Sequence, residues 1–243
     1  MTIAWMFPGQ GSQRPGMAAE LEACKELFQR AKGIVSTDIE RISTSPGNTK
    51  WPAELLQPAI FTTSVGAAMA IQARGLSPDV VVGHSLGEYA ALVVAGVLTF
   101  EDALSLVSVR GKGMAAAGKR NPGGMAAVIG LEPEKIEKIC ADLGDVWVAN
   151  FNSPSQTVIS GRDEALGRAA EEARNMGAMK VIRLEVPMAA HTPLMDSAAS
   201  DLRAAIDSVT FNQPACTCYS VADAEPHSDV NEIKDLLVRA VIS

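Results

Sequence analysis

The sequence predicts an α/β protein: a parallel-sheet core carrying a nucleophile elbow, with a small α+β subdomain inserted into it. Two observations predict this. An apolar β-branched run, Val80-Val81-Val82, enters Gly83-His84-Ser85-Leu86-Gly87, and a helix-forming stretch follows. Strand, sharp turn and helix are the setting in which G-x-S-x-G exposes a serine at the end of a sheet. Farther on, over about residues 123–187, the hydrophobic period switches in the order β-α-β-β-α-β, which is the ferredoxin-like pattern. The core is therefore assigned to residues 1–122 and 188–243, hydrolase-like in its strand and helix order, and the subdomain to residues 123–187.

Taken in order, residues 3–7 form a short apolar strand that runs into Pro8-Gly9-Gln10-Gly11-Ser12-Gln13, and a helix is expected from Gly16-Met17 to about Ala31. The glycine loop is no phosphate loop, because no Gly-Lys-Ser/Thr follows it. Residues 44–52 form a polar loop. Residues 55–74 read as a helix with small residues suited to close packing; Gln57, before Pro58, is either a buried polar residue near its start or a site residue. Thr99 is an N-cap, with Glu101 and Asp102 in the first turn of a helix that continues towards Met114. In the subdomain, residues 125–129, 146–150, 157–161 and 180–186 are strands, and 132–143 and 162–177 are helices. A loop at 187–192, a helix at 193–209, a strand at 215–221 and a helix at 233–241 complete the chain.

With 243 residues, 47% of them hydrophobic and 20% charged, the chain is long enough for one large domain with a small insertion. The net charge of −7 and the lack of a basic tract argue against nucleic acid and against a membrane surface. No apolar run reaches membrane-spanning length. The N-terminus lacks the basic and apolar regions of a signal peptide. Four scattered cysteines, Cys24, Cys140, Cys216 and Cys218, suit a reducing cytoplasm. Cys216-Thr217-Cys218 reads as strand alternation, and no second ligand pair completes a metal site.

The elbow geometry names a nucleophile, Ser85, and places it over a helix N-terminus whose unpaired N–H groups, that of Leu86 included, can stabilise an oxyanion. A serine nucleophile needs a base. Of three histidines, His84 adjoins the nucleophile and points elsewhere, and His227 lies in the acidic stretch 223–229 and reads as a solvated loop residue. His191 remains, in the loop after the last subdomain strand. No Asp or Glu occupies an obvious third place, so the sequence suggests a Ser85–His191 dyad with the orienting group unassigned.

Seven ordered blocks carry a family resemblance: Phe7-Pro8-Gly9-Gln10-Gly11-Ser12-Gln13, Gln57-Pro58-Ala59, Gly83-His84-Ser85-Leu86-Gly87-Glu88-Tyr89, Arg110-Gly111, Gly124-Met125-Ala126-Ala127, Asn150-Phe151-Asn152-Ser153-Pro154 and His191-Thr192-Pro193-Leu194-Met195. Over essentially its whole length the chain resembles the malonyl-CoA:acyl carrier protein transacylases and the related acyltransferase domains of polyketide synthases. The resemblance implies that Ser85 takes a malonyl group from malonyl-CoA and passes it to the phosphopantetheine thiol of acyl carrier protein, without a metal or redox cofactor. It implies His191 as base and acid, the Gln10 and Leu86 N–H groups as oxyanion hole, and Arg110 as the clamp on the malonyl carboxylate. Asn150 and Asn152 are implied to line a cleft between domains, although turn-forming asparagines explain them as well. The resemblance implies a monomer.

Two departures accompany the resemblance. Family members usually continue for several dozen residues beyond position 243, with a Gln whose carbonyl orients the catalytic His, a further strand and a Gly-Pro-Gly turn. A chain without that part is expected to expose a sheet edge and apolar surface. Related domains also often carry Phe or Ser before the His; Ala190 is neither, so it does not fix the choice between malonyl and methylmalonyl. Two rival readings share the elbow: a serine hydrolase or editing thioesterase, separated from a transferase by water access, and a truncated carrier-binding protein without turnover.

Overall fold

The computed structural model describes residues 2–36, 38–47 and 51–243. Along the chain it runs β1 (Ala4–Phe7), α1 (Ala23–Ala31), α2 (Ile39–Thr44), α3 (Ala53–Gln72), β2 (Val80–Gly83), α4 (Gly87–Val94), α5 (Phe100–Arg120), β3 (Gly123–Ile129), α6 (Pro133–Leu143), β4 (Val146–Ser153), β5 (Gln156–Arg162), α7 (Asp163–Asn175), β6 (Lys180–Arg183), a 3₁₀ turn (Pro193–Met195), α8 (Asp196–Asp207), β7 (Thr217–Tyr219), β8 (Pro226–His227) and α9 (Val230–Ile242). Two compact units divide it: Met1–Lys112 with Asp201–Ala240, and Gly113–Ser200 with Val241–Ser243.

The first unit holds a sheet of order β1-β2-β7-β8, parallel through β7 and antiparallel at β8. Phe7, Val81 and Cys218 lie buried on one face, whereas Met6 on the other is 81% exposed. Helices α1 and α2 pack on α3, and α3 packs on α4. Phe61 of α3 stacks on Phe100 of α5 at 5.6 Å between ring centroids. Thr99 caps α5 as expected, its Oγ1 accepting from the Asp102 N–H at 3.0 Å.

The second unit contains a sheet of order β4-β5-β3-β6, antiparallel throughout. Both α6 and α7 cover one face, with Val128, Ile136, Ile159, Leu166 and Ala169 at the centre of the core between them. This is the ferredoxin-like order that the alternation of periods predicts.

Several boundaries differ from the sequence reading. The helix expected from Gly16 starts only at Ala23, because the preceding N–H groups are drawn off: those of Gly16 and Ala18 donate to the carbonyls of Ser45 and Ser43. The segment 193–209 divides into the 3₁₀ turn and α8, and β7 is shorter than expected. Of the polar loop at 44–52, residues 48–50 lie outside the described residues, and Thr44 ends the unanticipated α2. The C-terminal helix starts earlier, at Val230.

The elbow is the tightest place in the first unit. A Cβ on Gly83 would fall 2.0 Å from the Glu88 nitrogen, and one on Gly87 would fall 2.2 Å from the Phe7 carbonyl oxygen. Both obstacles are backbone, so neither can swing aside. Gly87→Ala is expected to destabilise the protein by about 3 kcal/mol, read as a lower urea midpoint.

Candidate active site

Ser85 sits at the tip of the elbow with φ 52°, a left-handed conformation that few non-glycine residues adopt. The turn is held by the His84 N–H donating to the Phe7 carbonyl at 2.8 Å and the Gly87 N–H donating to the His84 carbonyl at 3.0 Å. Because Phe7 pairs with Gly83, the glycine loop after β1 emerges beside the elbow. His84 is exposed, its ring against the backbone of Gly9.

Four of the sequence-predicted residues meet here in one hydrogen-bonded chain. Arg110 of α5 donates from Nη2 to Ser85 Oγ at 2.8 Å and from Nη1 to Gln57 Oε1 at 2.8 Å. Gln57 in turn donates from Nε2 to Gln10 Oε1 at 3.3 Å. Gln57 is fully buried near the start of α3. Arg110 is 4% exposed, and no carboxylate among the described residues stands within ion-pair distance of it. Burial lowers its pKa, opposed by the Tyr89 and Glu88 side chains. A buried, charged guanidinium without an ion-pair partner is an anion site in waiting. The N–H groups of Gln10 and Leu86 find no acceptor among the described residues, as an oxyanion hole requires.

In the second unit, His191 has φ 59° and is 6% exposed. Its loop is packed into the protein: Met188, Ala189, Ala190 and Thr192 are all buried. Thr192 Oγ1 donates to the Ala189 carbonyl at 2.7 Å and accepts from the Leu194 N–H at 3.3 Å, and Asn121 Nδ2 donates to the Leu194 carbonyl at 3.0 Å. Among the described residues, Ser85 and His191 are two of the four non-glycine residues with positive φ, and strained backbone of this kind concentrates at functional sites. Asn150 and Asn152 both lie on β4, where Asn152 Nδ2 donates to Gln156 Oε1 across the hairpin at 3.0 Å.

Sequence reasoning missed the environment of Glu88. This carboxylate, one turn after Ser85, is 6% exposed. Its Oε1 accepts from Ser220 Oγ at 2.8 Å and from the Val221 N–H at 3.2 Å. Burial pushes its pKa up to about 7, against the pull of those two donors and of Arg110. A signal was present: Glu88 is the one charged residue in the otherwise apolar helix Gly-Glu-Tyr-Ala-Ala-Leu-Val-Val.

The sequence reading of His227 also needs correction. It is not a solvated loop residue: its side chain is 16% exposed, with Nε2 3.1 Å from Asp223 and Nδ1 3.2 Å from Glu232. Burial disfavours its cation, but the two carboxylates outweigh burial and raise its pKa. A raised folded pKa contributes stability that is fully present below the unfolded value and is lost as pH rises through the folded value. His227→Gln is therefore expected to lower Tm by roughly 2 °C at pH 6 and by less at pH 9.

A strained serine over a helix N-terminus, two N–H donors without an acceptor among the described residues and a buried cation define an acyl-transferring serine enzyme of the α/β class. In agreement, residues 4–237 match the acyl transferase domain family, to which the chain belongs. It is 40% identical over 251 residues to the malonyl CoA-acyl carrier protein transacylase of Salmonella typhimurium, covering 98% of this chain and 80% of the relative. The structure of the Coxiella burnetii transacylase superposes with a TM-score of 0.95 at 38% identity, covering 100% of this chain and 79% of that one. A malonyl-transacylase solved in complex with a type II polyketide acyl carrier protein gives a TM-score of 0.95 at 33% identity, covering 100% and 82%. Within the acyl transferase domains, the chain belongs to the malonyl CoA-acyl carrier protein transacylases.

Proposed function

We propose that this chain transfers malonyl from malonyl-CoA to the phosphopantetheine thiol of an acyl carrier protein by way of a malonyl ester on Ser85. One observation carries the reading: Arg110, buried and without a carboxylate partner among the described residues, donates directly to the nucleophile Ser85. An acyl group that ends in a carboxylate can bond to Ser85 at one end and to Arg110 at the other. A neutral acyl group leaves the guanidinium unpaired.

In this mechanism His191 takes the Ser85 proton as Oγ attacks the thioester carbonyl. The negative oxygen of the tetrahedral intermediate accepts from the Gln10 and Leu86 N–H groups. The C–S bond then breaks, and His191 returns the proton to the departing CoA thiol. The second half-reaction reverses the roles: His191 deprotonates the phosphopantetheine thiol, sulfur attacks the ester, and Ser85 recovers its proton. Ser85, His191 and the two thiols account for every proton and electron pair, so no metal or redox group enters. The relative solved with its carrier supports an acyl carrier protein as acceptor. All four cysteines are free thiols, and no described helix is long and apolar enough to cross a membrane; the proposed cytoplasmic, monomeric state rests on the cysteine usage and on the family resemblance.

The test is intact-mass spectrometry after brief exposure to malonyl-CoA, followed by peptide mapping and addition of holo carrier protein. A malonyl adduct on Ser85 that moves to the carrier is the expected result. An adduct lost as fast in buffer as with carrier points to the hydrolase reading. Carrier binding without any adduct points to a non-catalytic protein.

A further inference from the structure

We propose that Glu88 is the remote counter-charge of Arg110: it is a positioning residue that moderates how strongly the site selects a carboxylate-bearing acyl group. The inference rests on the malonyl reading above. Arg110 Nη2 reaches Ser85 Oγ at 2.8 Å, and Glu88 lies three residues after Ser85 in the first turn of α4, so two nearly fully buried charges stand close to each other without a direct ion pair between them. A direct pair would occupy the guanidinium face that the substrate needs. A carboxylate held away from it lowers the cost of burying the cation and leaves its donors aimed at Gln57 and Ser85.

The structure fixes Glu88 in that place. Helix α4 carries it, and the turn after β7 grips it through a relay in which the Ala222 N–H donates to Ser220 Oγ at 3.2 Å and Ser220 Oγ donates to Glu88 at 2.8 Å. The ionisable groups around it are Arg110 from α5, Tyr89 on its own helix, Asp223 from the turn after β7, and Cys218 and His227, which line the same small cavity. Tyr89 is buried with its hydroxyl unpaired among the described residues. Of these groups, only Arg110 bears a fixed positive charge.

An ionised Glu88 weakens the attraction of Arg110 for a malonyl carboxylate and hardly touches a neutral acetyl group. The sign of the effect follows. Removing the charge, by substitution or by protonation as pH falls through about 7, favours malonyl over acetyl.

The experiment offers the protein a mixture of malonyl-CoA and acetyl-CoA and reads the ratio of malonyl- to acetyl-Ser85 by mass. Effects on Ser85 and His191 common to both substrates cancel in that ratio. Glu88→Gln keeps an acceptor for Ser220 and Val221 but removes the charge. It is expected to raise the ratio at pH 8 about three- to tenfold, the size of one charge acting through the interior without contact. Glu88→Asp is expected to return the ratio towards wild type. In the wild type the ratio is expected to rise by a similar factor from pH 8.5 to pH 6, and in Glu88→Gln to stay flat.

A scaffold role alone slows both acylations together and leaves the ratio unchanged, which overturns the proposal. Should Glu88→Gln fail to fold, the wild-type profile decides: a flat ratio overturns it. A wild type that shows no preference for malonyl at any pH overturns the malonyl reading and this proposal together. A clear preference that ignores both pH and Glu88→Gln overturns the counter-charge alone.

Discussion

A Ser85→Ala chain exposed to malonyl-CoA is expected to carry no acyl adduct and to transfer malonyl at least about 10⁴-fold more slowly. The chemistry has no substitute for the hydroxyl, since the covalent ester is what divides the transfer into two half-reactions. The substitution leaves the rest of the site standing. Alanine meets the same φ of 52° that serine already tolerates, so the backbone strain is unchanged and Tm is expected to move little. The N–H groups of Gln10 and Leu86 remain, and Arg110 keeps its bond to Gln57. Arg110 Nη2 loses its Ser85 acceptor and is freed for a ligand carboxylate. Binding of malonyl-CoA, measured by calorimetry, is therefore expected to persist or tighten while turnover vanishes. A serine-independent adduct, or an undiminished rate, would remove Ser85 from the chemistry.

What was legible in the sequence is what local physics determines. Gly83, Ser85 and Gly87 could be read because a strand can turn sharply into a helix only where small residues let the two backbones pass, as the contacts of Gly87 with Phe7 show. The subdomain could be read because its strands and helices differ in period and its turns carry Gly and Pro. Legibility fails where the partner is distant in sequence. Nothing near Gln57 announces that its amide lies between Gln10 and Arg110, residues 47 and 53 positions away. Glu88 and Ser220 are separated by 132 positions. The two-residue β8 owes its existence to pairing with β7. The late start of α1 has a similar cause, because Gly16, with φ 66°, turns the chain towards the Ser45 carbonyl before any helix can begin. Arg110 is the intermediate case. Family resemblance named its role, but only its burial and its bond to Ser85 supply a physical reason.

Arg110→Ala is expected to cut the ratio of malonyl- to acetyl-Ser85 by about 10²- to 10³-fold, with acetyl acylation unchanged or faster. The loss is large because the malonyl carboxylate, drawn from water into the site, would find no cation there, while an acetyl methyl group has nothing to lose. The variant also removes the Arg110 bond to the Gln57 carbonyl and leaves Glu88 without its buried cation. Some loss of Tm is therefore expected, and the ratio is the informative quantity because a general loss of folded protein slows both substrates alike. Arg110→Lys separates charge from shape. An ammonium keeps the positive charge but cannot present two parallel N–H donors, nor reach Gln57 and Ser85 in the geometry of the guanidinium. It is expected to restore only part of the ratio, about tenfold below wild type. Full malonyl preference in Arg110→Ala would assign carboxylate recognition to other residues. Full recovery in Arg110→Lys would show that charge alone, without the planar fork, selects the substrate.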